Sequence, residues 1–244
     1  MFVAFFTFVL ATAYAAEDIP SYVHVCGRND PNYGDCVLDN INNMKPLICT
    51  GMPELNVPPQ EPVIIDKMVI FDTNNLKLIL EDAKIFGICN FDVQSFNMSL
   101  DKLHFDFTFV LKHLNMDTVY DIDIRVLVSL ANKGIAHISA DNVNGKLSVQ
   151  LKEVTKNGKT EIYVSKANTN LDILDKKFMY EFDDSEKDLV QLHEVIRNTV
   201  SENEKEILSK IKPILEARVS KMAIETGNNV TYNRFDQLFP NEAP

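Results

Sequence analysis

The chain has 244 residues, of which 45% are hydrophobic, and its 35 acidic and 24 basic side chains give a formal net charge of −11 at pH 7. Such an acidic chain lacks the basic face that binding to nucleic-acid phosphates requires, and it disfavours stable adsorption to anionic membranes. No stretch approaches the roughly 20 unbroken apolar residues of a membrane anchor. The length and apolar content allow a large core in one or two domains.

Residues 1–15 have the pattern of a secretory signal peptide. An apolar segment runs from Phe2 to Leu10, and Ala13-Tyr14-Ala15 supplies an A-x-A cleavage pattern, so the mature chain is predicted to begin at Ala16. The segment before the apolar core has no Lys or Arg, and the alternative interpretation is a buried amino-terminal strand. Secretion would place the mature protein where disulfides form.

Four cysteines, Cys26, Cys36, Cys49 and Cys89, allow three disulfide pairings, and the residues alone do not select among them. A bridge that closes a loop of about ten to fifteen residues contributes roughly 3 kcal/mol to stability. Cys49 and Cys89 would form a second bridge or remain as small buried hydrophobic side chains. No metal site is predicted, because neither a Cys-x-x-Cys motif nor clustered histidines accompany the cysteines.

A helix is predicted at Leu38–Leu47, and beyond Pro62 the apolar residues alternate as in strands with one dry and one wet face. Strands are predicted at 103–111, 120–130 and 143–151, with returning strands in 161–182. Asn157-Gly158 favours a two-residue hairpin. This order predicts an antiparallel meander and argues against the parallel β-α-β arrangement of nucleotide-binding folds.

From Ser185 the apolar period becomes helical and continues for about 37 residues, or about 55 Å. Pro213 is expected to kink this helix because it lacks a backbone donor. The apolar residues return to one stripe: Leu189, Leu192, Ile196, Val200, Ile207, Ile211, Ile214 and Met222. The predicted fold is therefore α+β, with a long carboxy-terminal helix wrapped lengthwise by a highly curved antiparallel sheet that encloses an elongated hydrophobic tunnel.

Two sequons are candidates for glycosylation, Asn97-Met98-Ser99 and Asn229-Val230-Thr231. Asn229 is the better candidate, because it follows Gly227-Asn228 in a predicted loop after the long helix. Asn97 lies within a predicted strand, where pairing would restrict access.

No catalytic residue and no cofactor are predicted. The chain contains no Gly-x-Ser-x-Gly, His-Glu-x-x-His or Gly-x-x-x-x-Gly-Lys motif. Its five histidines are scattered singly. His104 and Asp106 share a strand face, as alternate polar residues on a solvent-facing surface do.

The stretch from Pro20 to Leu55 resembles the amino-terminal signature of the insect Takeout and haemolymph juvenile-hormone-binding proteins, of the TULIP-like superfamily. The resemblance rests on the spacing of the first two cysteines, the helix after them and the closing Gly51-Met52-Pro53-Glu54-Leu55. It continues with Val57-Pro58-Pro59 and the carboxy-terminal Leu238-Phe239-Pro240. The segment from Phe178 to Asp188 departs from the family pattern, because Tyr180-Glu181-Phe182-Asp183-Asp184 replaces the expected Asn-Leu-Phe and glycine-rich run.

The resemblance implies a Cys26–Cys36 disulfide, a single domain over residues 16–244 and a carrier of small lipophilic molecules, secreted into haemolymph or another insect secretion. Juvenile hormone is one candidate ligand, beside other terpenoids and fatty-acid-like lipids. The expected lining residues are Phe105, Phe107, Phe109, Ile122, Ile124, Leu192 and Ile196, with Tyr120 as the polar contact. These side chains would otherwise fill a solid core.

Two alternative functions remain open at this stage. The first is a secreted interaction module whose cavity is closed and which acts through a cell-surface receptor. The second is a lipid-binding protein of the innate-immunity or allergen type within the same superfamily.

Overall fold

The computed structural model describes residues 19–99, 103–125, 129–156, 159–174, 178–182 and 190–242. The predicted signal peptide and the Asn157-Gly158 turn lie outside these ranges. The elements in chain order are α1 (Tyr33–Thr50), a 3-10 turn (Pro53–Leu55), β1 (Val63–Asp72), β2 (Leu76–Phe86), β3 (Phe91–Ser99), β4 (His104–Arg125), β5 (Ser129–Lys156), β6 (Lys159–Asp172), β7 (Phe178–Phe182), α2 (Val190–Glu202), α3 (Glu204–Thr231) and α4 (Phe235–Leu238).

The strands form one antiparallel sheet in the order β1-β2-β4-β5-β6, with β3 paired to β4 and β7 paired to β5. The predicted antiparallel meander and the α+β class are confirmed. The predicted strand 103–111 and the first part of the predicted strand 120–130 lie in one 22-residue strand, β4, whereas Ser129 and Leu130 already belong to β5. Strand β4 pairs with β5 from His104 opposite Gln150 to Arg125 opposite Ser129.

The length of these strands requires the sheet to curve. The 28 residues of β5 would span about 90 Å if the strand were straight. Register shifts interrupt the ladders of β1, β2, β3 and β5, and bulges of this kind bend a strand and increase its twist. One shift, between Glu81 and Lys84, contains Asp82 with a φ of 51°. The sheet can therefore fold around a helix.

The carboxy-terminal helical region is divided at Asn203, whereas the sequence predicts one continuous helix. The Asn203 side-chain amide donates to the Thr199 carbonyl at 2.7 Å, which competes with the regular backbone ladder. The predicted helix is therefore wrong in its continuity. Pro213, where a kink was expected, lies inside the continuous helix α3.

Helix α3 covers the outer edge of β6 with polar side chains. Asn228 acts as a substitute for a neighbouring strand, because its Oδ1 accepts from the Val164 N–H at 2.7 Å and its Nδ2 donates to the Val164 carbonyl at 3.1 Å. Two turns earlier, Ser220 Oγ accepts from the Thr169 N–H at 2.9 Å. The helix thus protects a strand edge that would otherwise be open to another chain.

The same edge is held further along by Glu216 and Lys212. The Glu216 carboxylate accepts from the Leu171 N–H at 2.8 Å, and the Lys212 ammonium donates to the Leu171 carbonyl. Lys212, Glu216 and Ser220 are spaced by four residues, so they lie on one helix face. This polar face fixes α3 in register with β6.

The two ends of the described chain are joined by backbone hydrogen bonds. Cys26 N–H donates to the Leu238 carbonyl at 3.2 Å, and Arg28 N–H donates to the Pro240 carbonyl at 2.8 Å. The Cys26–Cys36 disulfide connects this amino-terminal segment to α1. A second disulfide, Cys49–Cys89, connects the end of α1 to the turn between β2 and β3.

We expect Asn228→Ala to lower the free energy of unfolding by about 1–2 kcal/mol, because it leaves both edge groups of Val164 without their partner. Chemical denaturation with an unchanged m value measures this loss. Asn198→Ala, on an exposed position of α2, is the matched control and makes the same change in helix propensity. Equal stability of the two variants would contradict the proposed role of Asn228.

Candidate ligand cavity

A cavity of about 110 Å³ lies between the inner face of the sheet and helices α2 and α3. Its walls come from β2, β4, β5, β7 and both helices. The lining residues are Leu78, Leu80, Ile85, Leu114, Asn115, Met116, Tyr120, Ala136, Ile138, Ser139, Ala140, Val143, Ile173, Phe178, Tyr180, Phe182, Ile196, Val200, Glu204, Ile207, Leu208, Ile211 and Leu215. The surface is almost wholly apolar, so a water molecule would find few hydrogen-bond partners there.

The sequence periods explain how these residues converge. Alternate residues of β4, including Leu114, Met116 and Tyr120, lie on the inner face of the sheet. On the helical side, the predicted apolar stripe contributes residues such as Ile207 and Ile211, four positions apart. A strand of period two and helices of period 3.6 therefore supply opposite walls.

Tyr180 and Glu204 form the most polar part of the lining. The Tyr180 hydroxyl donates to Glu204 Oε1 at 2.5 Å, which connects β7 to the first residue of α3. Burial raises the pKa of Tyr180 above its ordinary value of 10.0, and the hydrogen bond and charge of Glu204 raise it further. Tyr180 therefore remains a neutral donor over the physiological pH range.

Tyr120 makes its hydrogen bonds within the protein. Its hydroxyl donates to Asn132 Oδ1 and lies 3.1 Å from Nε2 of the buried His193, whose ring stacks on Phe182 with centroids 5.4 Å apart. Gly134, the cross-strand partner of Tyr120, leaves space for the phenol, because a Cβ there would lie 2.9 Å from its hydroxyl oxygen. The Tyr120 hydroxyl, which was expected to be the polar contact for a ligand, is thus hydrogen-bonded within the protein to Asn132 of β5 and His193 of α2.

The structure places only Tyr120 and Ile196, of the eight expected lining residues, on the cavity wall. Ile122 is buried in the adjoining core, 1% exposed, and Ile124 and Leu192 pack against that core. The alternation of β4 identified its inner face correctly but not the part of the strand that borders the cavity.

Phe105, Phe107 and Phe109 do not line the cavity. They belong to a hydrophobic cluster towards the start of β4, of which other members, such as Val143 and Leu208, do line it. The Phe107 and Phe109 rings are 5.6 Å apart, and Phe109 lies over Gly145 of the neighbouring strand, where a Cβ would be 2.3 Å from the ring. Phe109 is buried in this cluster, and Phe105 and Phe107 are half-buried against it.

Strand β7 contributes lining residues that were not predicted from the sequence. Phe178, Tyr180 and Phe182 alternate along this strand and all line the cavity. Their period of two is visible in the sequence. The same segment departs from the pattern expected from the family resemblance.

The two sequons lie in different settings. Asn97 is exposed in β3, whereas Asn229 lies inside α3 and its Nδ2 donates to the Asn56 carbonyl at 2.8 Å. The expectation that Asn229 lies in a loop is therefore wrong, because α3 extends to Thr231. Glycosylation of either residue stays a prediction.

Cys49, Cys89 and Glu61 bring three atoms of metal-ligating types within 4.8 Å of one another. Both sulfurs belong to the second disulfide, and Glu61 accepts from the Cys89 N–H at 2.7 Å, so this group has a structural role. In the described part of the chain, none of the helices combines the length and apolar character that crossing a bilayer requires.

The sequence model of the family described as haemolymph juvenile hormone binding protein (JHBP) matches residues 4–240. The chain belongs to this family. No curated protein sequence matches the chain. The confirmed family resemblance extends through both the sheet and the carboxy-terminal helices.

Among solved structures, the chain is similar to Takeout 1 of Epiphyas postvittana, with a TM-score of 0.69 and 17% identity over 89% of this chain and all of that one. At this identity the similarity shows a shared fold. A lipopolysaccharide binding protein also matches, with a TM-score of 0.43 and 11% identity over 82% of this chain and 38% of that one.

We expect the ionisation of Tyr180 to destabilise the protein above about pH 10. The pKa of Tyr180 is higher in the folded than in the unfolded protein. The contribution of Tyr180 to the free energy of unfolding is therefore fully present below about pH 10 and is lost as the pH rises through the folded-state pKa. Denaturation of the protein and of Tyr180→Phe between about pH 8 and pH 11 measures this effect. The stability difference between the two should shrink only in the alkaline part of the range; a constant difference would contradict the assignment.

Proposed function

We propose that the protein is a secreted carrier that reversibly binds one small hydrophobic molecule between the sheet and helices α2 and α3. The observation that supports this best is the apolar cavity, to which both layers of the fold contribute. A ligand that hides about 300 Å² of apolar surface gains about 7 kcal/mol before the costs of association. Juvenile hormone, named in the family's description, another terpenoid or a fatty-acid-like lipid are the candidates.

The cavity volume indicates that a ligand of this size would have to enlarge the site. An engineered cavity of about 150 Å³ holds benzene, whereas the volume here is about 110 Å³. Met116 has a flexible, unbranched side chain, and Phe178 lies on the short strand β7. Rearrangement of these side chains would extend the cavity along the sheet.

The charges of the lining favour a neutral ligand over a carboxylic acid. Glu204 is the charged residue among the described lining side chains, which include no Lys, Arg or His. A bound carboxylate would be buried near another carboxylate without a compensating cation, which disfavours its charged form. An ester, ether, alcohol or hydrocarbon avoids this cost. The fatty-acid candidate is accordingly the least favoured of the three.

Secretion is supported by the two disulfides and by the family's haemolymph description. The apolar amino-terminal segment of the sequence supports the same route.

A second candidate function is a secreted interaction module that acts through a cell-surface receptor with its cavity filled by its own side chains. The small volume of the cavity favours this alternative. The two candidates differ in whether a lipophilic molecule of a few hundred daltons binds at all.

Binding of a sesquiterpenoid methyl ester and of its free acid tests the carrier proposal. We expect the ester to bind at least about tenfold more tightly near neutral pH, a preference of about 1.4 kcal/mol. Glu204→Gln should reduce the difference in affinity between ester and acid, because the substitution removes the charge from the lining and retains a hydrogen-bond acceptor for Tyr180. Glu202→Gln, on an exposed position at the end of α2, should leave it unchanged. Equal binding of acid and ester would reject the neutral-ligand assignment, and absence of binding by either would favour the interaction module.

Substitution of Val200 and Phe107 tests the location of the site. Val200→Phe should weaken binding of the ester at least about tenfold, since the larger ring occupies the cavity. Phe107→Trp should leave affinity nearly unchanged, because Phe107 does not line the cavity. Near-ultraviolet circular dichroism and thermal unfolding establish that both variants fold. The opposite order of effects would move the ligand to the cluster around Phe107.

A further inference from the structure

A second concavity, of about 510 Å³, lies between the β5–β6 hairpin and the turn from α3 to α4. We name it the carboxy-terminal groove. It is lined by Val154, Glu161, Ile162, Tyr163, Asn228, Thr231, Tyr232, Asn233, Phe235, Asp236 and Gln237. It borders the last turn of α3, whereas the ligand cavity borders the first half of that helix, which spans about 40 Å in all. The two sites are therefore separate.

Aromatic side chains form a large part of the groove. Tyr163 and Tyr232 are 37% and 64% exposed, and within the described residues neither makes a side-chain hydrogen bond or ring contact. Phe235 is half-buried against Phe239, with ring centroids 5.1 Å apart. Two phenol rings and one phenyl ring thus border a volume large enough for a small organic molecule.

The charged side chains that line the groove are both acidic. Glu161 and Asp236 contribute carboxylates, and the described lining contains no Lys, Arg or His. Aromatic rings and carboxylates attract the same partner, since the negative face of a ring and a carboxylate both favour a cation. The lining therefore combines acidic and aromatic side chains, the two features that favour a cation with an apolar surface.

The protein already holds a cation at one end of the groove. The guanidinium carbon of Arg28 lies 5.7 Å from the centroid of the Phe235 ring, and Arg28 Nη2 lies 3.7 Å from Asp236 Oδ1. This intramolecular contact has the geometry that an organic cation would use on an aromatic face beside a carboxylate.

The nearby buried cation, Arg234, is hydrogen-bonded to backbone carbonyl groups. Its guanidinium donates to the carbonyls of Glu54 at 3.1 Å, Asn229 at 3.4 Å and Tyr232 at 3.5 Å. Arg234 is 1% exposed and is not part of the groove surface. Its hydrogen bonds hold the backbone of the turn that carries Tyr232 and Phe235.

We propose that the carboxy-terminal groove binds an organic ammonium ion, with its alkyl groups against the faces of Tyr163 and Tyr232 and its charge near Glu161 and Asp236. The ammonium group belongs either to a small soluble molecule or to the headgroup of a choline lipid. This site is independent of the apolar cavity and goes beyond the proposed carrier function.

Calorimetric titration with choline and with 3,3-dimethyl-1-butanol, its uncharged isostere, tests the charge requirement. We expect choline to bind at least about tenfold more tightly, because the two molecules differ mainly in charge. Asp236→Asn and Tyr232→Leu should each weaken choline binding several-fold, and Asp66→Asn, an exposed carboxylate on β1, should not. Equal binding of both molecules, or no choline binding at millimolar concentration, would overturn the proposal.

The source of the ammonium group is determined by flotation with phosphatidylcholine vesicles. Flotation that Tyr232→Leu abolishes would identify a lipid headgroup, whereas choline binding without flotation would identify a soluble ammonium compound. Prior loading of the cavity with a sesquiterpenoid ester should leave choline affinity unchanged. Competition between them would overturn the claim of two separate sites.

Discussion

The paired ribbon of β4 and β5 is the constraint on which the rest of the structure depends. These strands are 22 and 28 residues long and stay paired in one register from His104 to Arg125, with an interruption at Lys112. A ribbon of this length buries an apolar face only if it bends around another element, and α3 is that element. Bulges provide the bend, and the polar face of α3 provides a fixed attachment along the edge of β6.

This arrangement gives α3 two different faces with different tasks. The polar face bonds the edge of β6 through residues such as Glu216 and Asn228. The apolar face, with Ile207 and Ile211, borders the cavity. A cavity persists because the polar attachment determines the distance between helix and sheet at one side, while the apolar residues on the other side do not fill the space between.

The outline of the fold could be predicted from the spacing of apolar residues. A period of two indicates a strand, a period of 3.6 indicates a helix, and in both the apolar residues mark the buried face. The antiparallel order and the apolar helical stripe follow from this spacing. The union of two predicted strands into β4 does not, because Lys112 and His113 are both exposed at an irregular point in the ladder. The division at Asn203 depends on a local side-chain hydrogen bond that no hydrophobic period reports.

The cavity itself was harder to locate than the fold. Alternation shows which face of β4 points inward, but the position of a cavity along that face depends on where bulky side chains meet across the layers. Phe107 and Phe109 meet other rings and fill their space, whereas Ala136 and Ala140 leave space opposite α2 and α3. The Tyr180–Glu204 contact joins residues from β7 and α3, and its formation depends on the tertiary fold.

The Epiphyas postvittana structure shares the fold at 17% identity. Backbone architecture is therefore shared although most residues differ, and β7 lies in the segment that departs from the pattern expected from the family resemblance. The short strand contributes three lining side chains, so sequence changes there alter the site without altering the ribbon. Ligand selection is accordingly expected to follow β7 and the start of α3.

Native mass spectrometry of protein secreted from insect cells tests the carrier account most directly, when the same sample is also measured after denaturation so that glycan mass cancels. The account predicts an excess of a few hundred daltons that dissociates on unfolding and that fragments as a neutral lipophilic compound. A mass equal to that of the polypeptide and its glycans, unchanged after incubation with juvenile hormone and fatty acids, would contradict it.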